Sequence, residues 1–238
     1  MAILLLVFFY PKIKALFTPK TPYELIAKGC VEENIREAIP EIMKKGWNLN
    51  PELYFVYKNQ TLEYLCYTRE WYQTCLIQKP FLKQSIEQEI ILATKDKINR
   101  CIAEVEQKLR NQGYTLRTTG DRSIALTIEP GIVGALMNYG IIMEKNNEIQ
   151  SYDNKNFNVR FNSEIYELIM LGLTVLNFEA TFGDTNTQAL MGFYPHIKIN
   201  KFKQEDGTKV YILNNTNSDE IFQFATRSLA WPPGLGNV

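Results

Sequence analysis

The chain has 238 residues, with 26 Lys and Arg against 26 Asp and Glu. A formal net charge of zero argues against nucleic acid as the main partner, because phosphate binding needs a basic surplus or a basic face. A hydrophobic share of 45% and a charged share of 22% exclude wholesale disorder, and a single histidine, His196, excludes multi-histidine metal sites and paired-histidine catalysis.

Residues 2–10, Ala-Ile-Leu-Leu-Leu-Val-Phe-Phe-Tyr, form an unbroken apolar and aromatic run closed by Pro11, Lys12 and Lys14. At about 1.5 Å per helical residue the run covers roughly half of a bilayer core, where about 20 apolar residues make a full span. It lacks the basic start and small-residue border of a cleaved secretory signal. Three readings stand: an element of the core, part of a membrane helix, or a stem that packs against copies of itself. Tyr10, Lys12 and Lys14 suit a water–lipid boundary. Residues 1–17 are expected to be a hydrophobic stem and 18–238 an ectodomain, with membrane or neighbouring subunits as partners of residues 2–10.

Thr18-Pro-Lys-Thr-Pro22 reads as an extended connector. Thr21, Pro22 and Glu24 signal a helix start, and Lys44-Lys45-Gly46 a stop, with a kink at Pro40. Residues 53–57 and 62–68 alternate as strands around Lys58-Asn59-Gln60, and Gln73–Gln78 makes a third. This block holds Tyr54, Phe55, Tyr57, Tyr64, Tyr67, Trp71 and Tyr72. They read either as an ordinary half-exposed β face or as a contact surface for a protein or glycan. In the second reading Tyr64, Tyr67, Trp71 and Tyr72 are the binding residues.

There are four cysteines and no Cys-x-x-Cys pair, so no zinc ribbon is expected. If the chain turns at Glu70–Trp71, Cys66 and Cys75 face each other on paired strands. Cys30 and Cys101 each lie on the apolar stripe of a predicted helix, where they are placed to bridge two packed helices. The competing reading is four reduced, buried thiols. The sequons at Asn59 and Asn214 fit an exported protein but arise easily by chance.

The longest predicted helix covers 82–111, with Ile90, Ile91, Ile98, Cys101, Ile102, Val105 and Leu109 on one face. Strands follow at 114–119 and 123–128, then a Gly-interrupted strand after Pro130-Gly131. A polar loop is expected at 144–156 and a strand at 157–161. A helix over 164–181 is apolar on nearly every side, which predicts a central, buried element. A short helix to Phe193, a β meander (196–202, 209–213, 221–227) and an extended Trp231–Gly234 tail complete an α+β fold of long helices on antiparallel sheet.

No Gly-rich phosphate loop, Gly-x-Ser-x-Gly elbow or metal-ligand helix is present, so no cofactor and no metal is expected. His196 reads as a strand-start residue. Glu179 closes the apolar helix, where desolvation raises a carboxyl pKa, as a general acid requires. As a glycan hydrolase the protein needs an open cleft there. The plainer reading has Glu179 ending one helix and Asp184 capping the next.

Several strings resemble an uncharacterised family of archaeal membrane-anchored, pilin-like extracytoplasmic proteins. They include Tyr64-Leu-Cys-Tyr-Thr-Arg-Glu-Trp-Tyr-Gln-Thr-Cys75, Gln78-Lys-Pro-Phe-Leu-Lys83, Phe178-Glu-Ala-Thr-Phe-Gly-Asp184 and Phe222-Gln-Phe-Ala-Thr-Arg-Ser-Leu-Ala-Trp-Pro232. The resemblance implies an N-terminal hydrophobic helix, a folded domain on the extracytoplasmic face of the cell membrane, and disulfides. It carries no assigned activity. The leading expectation is a non-enzymatic surface protein in envelope assembly or adhesion, possessing other envelope proteins or glycans as partners. The alternatives are the glycan hydrolase and a cytosolic binding module with reduced cysteines.

Overall fold

Thr21 starts the first helix through a reciprocal cap. Its hydroxyl accepts from the Glu24 N–H and the Glu24 carboxylate accepts from the Thr21 N–H, with Pro22 in the first turn. The structure, a computed structural model, describes residues 21–153 and 157–229. Residues 2–10 and the Trp231–Gly234 tail lie outside the described residues. The first helical run, α1, joins Pro22–Glu24, a π-helical stretch Leu25–Glu32 and Glu33–Lys44. Ile26, Cys30, Ile35, Ile39 and Ile42 bury its apolar side. Gly46, at φ 92°, turns the chain out of it; a Cβ there would lie 3.1 Å from the Glu63 nitrogen.

Helix α2, Leu82–Asn111, buries Leu82, Ile86, Ile90, Thr94, Ile98, Ile102, Glu106 and Leu109. Steps of four, closed by one of three, place them on one stripe. The two polar members are satisfied: Thr94 donates to the Ile90 carbonyl at 2.7 Å, and Glu106 accepts from Arg122 at 2.6 Å and Tyr139 at 2.8 Å. α1 packs on α2, and a disulfide between Cys30 and Cys101 joins them with Cα atoms 5.5 Å apart.

The main sheet holds β1 (Tyr54–Tyr57), β2 (Gln60–Tyr67), β3 (Leu76–Ile77), β10 (Ile197–Lys203), β11 (Thr208–Asn215) and β12 (Ile221–Arg227). Its order is β1-β2-β12-β11-β10, with β3 paired to β2. The C-terminal meander is antiparallel, but β12 lies parallel to β2. Helix α3, Ile165–Phe182, crosses this sheet, and Gly172 permits the approach: a Cβ there would sit 2.7 Å from the Phe222 ring. Its other side is not covered to the end, since Phe178 and Phe182 are exposed. Among the described residues α3 is the one helix long and apolar enough to cross a membrane, and its buried side is spent on the sheet.

Two three-stranded antiparallel sheets flank α2: β4 (Thr115–Thr119), β7 (Gly140–Lys145) and β8 (Glu148–Tyr152), and β5 (Ile124–Glu129), β6 (Ile132–Met137) and β9 (Asn158–Asn162). The polar loop expected over 144–156 is instead largely a hairpin. Asn146 and Asn147, at φ 52° and 66°, make its tight turn, and β8 is polar because it is a solvent-facing edge. The third aromatic-block strand is shorter than expected, because Gln73 and Cys75 bond to Leu229 and Ser228, just after β12, rather than to β2. The short helix α4, Thr187–Phe193, is capped by Asn186.

One buried carboxylate gives the fold a pH signature. Glu63 of β2 is buried, its Oε2 makes no hydrogen bond among the described residues, and burial pushes its pKa up to about 7. A raised folded-state pKa stabilises the fold fully below the unfolded value and loses that contribution as pH rises through about 7. Glu63→Gln should therefore raise stability at pH 8 by about 1–2 kcal/mol and leave it little changed at pH 4, measured by urea unfolding.

Candidate functional site

The end of β12 builds the site. Arg227 donates from Nε to the Asp206 carbonyl at 2.9 Å and from Nη1 to the Thr68 carbonyl at 2.5 Å, and its own carbonyl accepts from the Thr68 N–H. The Ser228 hydroxyl accepts from the Cys75 N–H at 2.9 Å and donates to the Glu179 carbonyl at 2.7 Å. The Leu229 N–H donates to the Gln73 carbonyl at 3.0 Å. Three consecutive residues thus hold the segment 68–75 at both ends. A disulfide between Cys66 and Cys75 closes the same loop, with Cα atoms 5.3 Å apart. Cys66 is paired with Ile77 rather than with Cys75, so the bridge runs diagonally from a ladder residue of β2 to Cys75, just before β3, instead of joining two facing residues.

This closed loop displays its aromatics outward. Trp71 is 59% exposed and lies against the Arg227 guanidinium, 5.3 Å from ring centre to Cζ. Tyr72 is held at φ 62° and is half-exposed. Beside it an open groove of about 620 Å³ is lined by Tyr72, Gln73, Thr74, Leu76, Thr181, Phe182 and Leu229. Leu76 and Phe182 are exposed there, and Phe178 stands 5.9 Å from Phe182, ring to ring. The arrangement is a rigid apolar and aromatic surface with amide and hydroxyl groups on its walls.

The four aromatics singled out in the sequence divide. Trp71 and Tyr72 share this surface. Tyr64 does not: it is buried, its hydroxyl 2.7 Å from the Thr208 hydroxyl. Tyr67 lies 4.9 Å from Tyr64, ring to ring and tilted by 59°, in a second cluster with Leu62, Val210 and Ala225, on the sheet face opposite α3. Tyr64 is thus a packing residue, since alternation along β2 turns it into that cluster. Leu76, Phe178 and Phe182 were not singled out; the only signal for them was apolar residues at the ends of elements.

Behind the loop lies a buried ion pair. Glu179 of α3 is fully buried, and its Oε2 accepts from Lys209 Nζ at 2.7 Å. Tyr211 donates to Glu179 Oε1, and Lys209 also donates to the Gly183 carbonyl. Burial raises the Glu179 pKa against the pull of Lys209. Asp184, although partial burial works against it, is held at about 2 by the Lys201 hydrogen bond and the charges of Lys209, Lys201 and Lys203. A glycan hydrolase needs substrate to reach Glu179, and a carboxyl with no exposed surface offers none. Its position instead braces Gly183 and Ser228 against the sheet.

Asn59 sits exposed in the β1–β2 turn at φ 63°, a geometry open to a glycan. Asn214 lies within β11, with its Oδ1 buried, which suits an acceptor poorly. His196 pairs with Glu167 at 2.7 Å at the start of the meander. Among the described residues no group of three or more His, Cys, Asp or Glu side chains is placed to hold a metal. No protein-family model, no curated protein and no solved structure matches this chain.

Proposed function

We propose that the protein is a surface-exposed, non-enzymatic component of the cell envelope, anchored or assembled through residues 2–10, that works in adhesion or assembly through the loop of Trp71 and Tyr72. The observation that carries this reading is the Cys66–Cys75 loop: an oxidised pair closes a short segment, and that segment holds two exposed aromatics rigid beside a groove. Both disulfides suit an oxidising, non-cytosolic compartment and run against the reduced cytosolic module. Rigid aromatics give contact area at low entropic cost. The archaeal, pilin-like resemblance fits the same picture.

Labelling of intact cells with a membrane-impermeant amine reagent tests the location. The protein should be labelled before lysis; labelling only after lysis would contradict the reading. Trp71→Ala and Tyr72→Ala should each weaken binding to isolated envelope by about tenfold, an anchor-residue effect, in a cosedimentation assay. Their melting temperatures should stay close to that of the parent, because both side chains are exposed.

A further inference from the structure

The groove beside the closed loop lies where the described chain stops. Leu229, the last described residue, forms part of its wall. Leu229 is pinned there on two sides. Its N–H donates to the Gln73 carbonyl at 3.0 Å, and a Cβ on Gly207 of the β10–β11 turn would meet Leu229 Cδ2 at 2.6 Å. One residue earlier, the Ser228 hydroxyl bridges the Cys75 N–H and the Glu179 carbonyl. The chain therefore leaves β12 between the 68–75 loop and the end of α3, and reaches the groove at a fixed point.

The groove asks for an apolar, uncharged occupant. Leu76 and Phe182 are 75% and 63% exposed in it, and no charged side chain lines it. Residues 230–238, Ala-Trp-Pro-Pro-Gly-Leu-Gly-Asn-Val, follow Leu229 directly and carry no charged side chain either. Trp231 is the second of them, so its Cα lies at most about 7 Å from that of Leu229. A tryptophan buries about 150–250 Å² when it packs. The Trp-Pro-Pro sequence favours extended backbone, which lowers the entropy lost on docking. A segment tethered at the groove wall competes for it at an effective concentration on the order of millimolar. The other long apolar run, residues 2–10, has no such tether. It joins the described chain beyond residues 11–20, near Tyr23, which stacks on Tyr152 of β8 in a different sheet.

We propose that the groove is the seat of the chain's own C-terminal segment, with Trp231 as the anchor packed against Leu76 and Phe182. An outside partner that enters the groove must then displace this segment, while Trp71 stays open to contact. The seating goes beyond the adhesion reading and does not depend on it. Failure of whole-cell labelling or of envelope binding would leave the seating intact, and failure of the seating would leave both of those intact.

The test is fluorine NMR of the full chain labelled with fluorotryptophan, in a mild detergent that disperses residues 2–10. The chain has three tryptophans, and Trp231→Phe identifies the signal of Trp231. Trp71 at 59% exposure and Trp47 at 8% give internal references for an open and a protected ring. With a soluble gadolinium chelate added, the Trp231 signal should resist broadening as the Trp47 signal does. Leu76→Asp and Phe182→Ser should each abolish that protection and bring Trp231 to the level of Trp71, with the Trp47 signal unmoved. Both sites are exposed, so both variants keep the fold. A Trp231 signal broadened as strongly as that of Trp71 in the parent would overturn the proposal. So would protection indifferent to both variants, which a micelle would give, or protection lost on dilution, which a second copy would give.

Discussion

Lys209→Met is expected to destabilise the fold by about 3–5 kcal/mol, the cost of leaving a buried charge without its partner. Glu179 has no exposed surface, and Lys209 Nζ at 2.7 Å is the cation that holds its charge. Tyr211, Thr185 and Thr226 contribute only neutral hydroxyl contacts. With Lys209 gone, Glu179 must bind a proton or stay ionised in a dry site. The variant should then be most stable below the ordinary carboxylate range and lose stability as pH rises through the raised Glu179 pKa. Replacing both partners, Glu179→Leu with Lys209→Met, should cost much less than Lys209→Met alone, because two apolar side chains need no pairing. Urea unfolding of the single and double variants is the check. A single variant within about 1 kcal/mol of the parent would mean that water reaches the pair.

The two disulfides should differ in their weight. Cys30 and Cys101 are 71 residues apart and Cys66 and Cys75 are 9 apart. Closing the longer loop removes more freedom from the unfolded chain, about 4 kcal/mol against about 2.5 kcal/mol. The pair Cys30→Ala and Cys101→Ala should therefore lower stability by about 4 kcal/mol and detach α1 from α2 first, read by hydrogen exchange in α1. The pair Cys66→Ala and Cys75→Ala should cost less but loosen the loop, and with it the binding proposed for Trp71 and Tyr72. If the shorter bridge proved the costlier to lose, the cause would lie in native packing around Ser228 rather than in chain entropy.

What was legible in the sequence was local. The Thr21 cap, the long α2 helix, the apolar α3 helix and the final three strands all follow from short-range pattern, because caps and periodicity act within a few residues. The α+β class follows from them. The partners of Glu179 were not legible. Lys209 is the second residue of a strand, where a lysine ordinarily faces water, and only the β11–α3 packing turns it inward toward a residue 30 positions away. The parallel seating of β2 against β12 is likewise a long-range event with no local mark. The Asn146-Asn147 turn did carry a signal, but β8 is an exposed edge and shows no hydrophobic face. The proposed contact surface was half visible: the aromatic loop stands in the sequence, while Phe178 and Phe182 join it only through the fold.

In the proposed function an oxidised chain holds its aromatic loop rigid outside the cytoplasm. Protein taken from its native host, denatured without reductant and treated with an alkylating reagent, tests this most directly. Peptide mass mapping should find no alkylated cysteine, with Cys30 linked to Cys101 and Cys66 linked to Cys75. Alkylation of Cys66 and Cys75 in that sample would contradict the account.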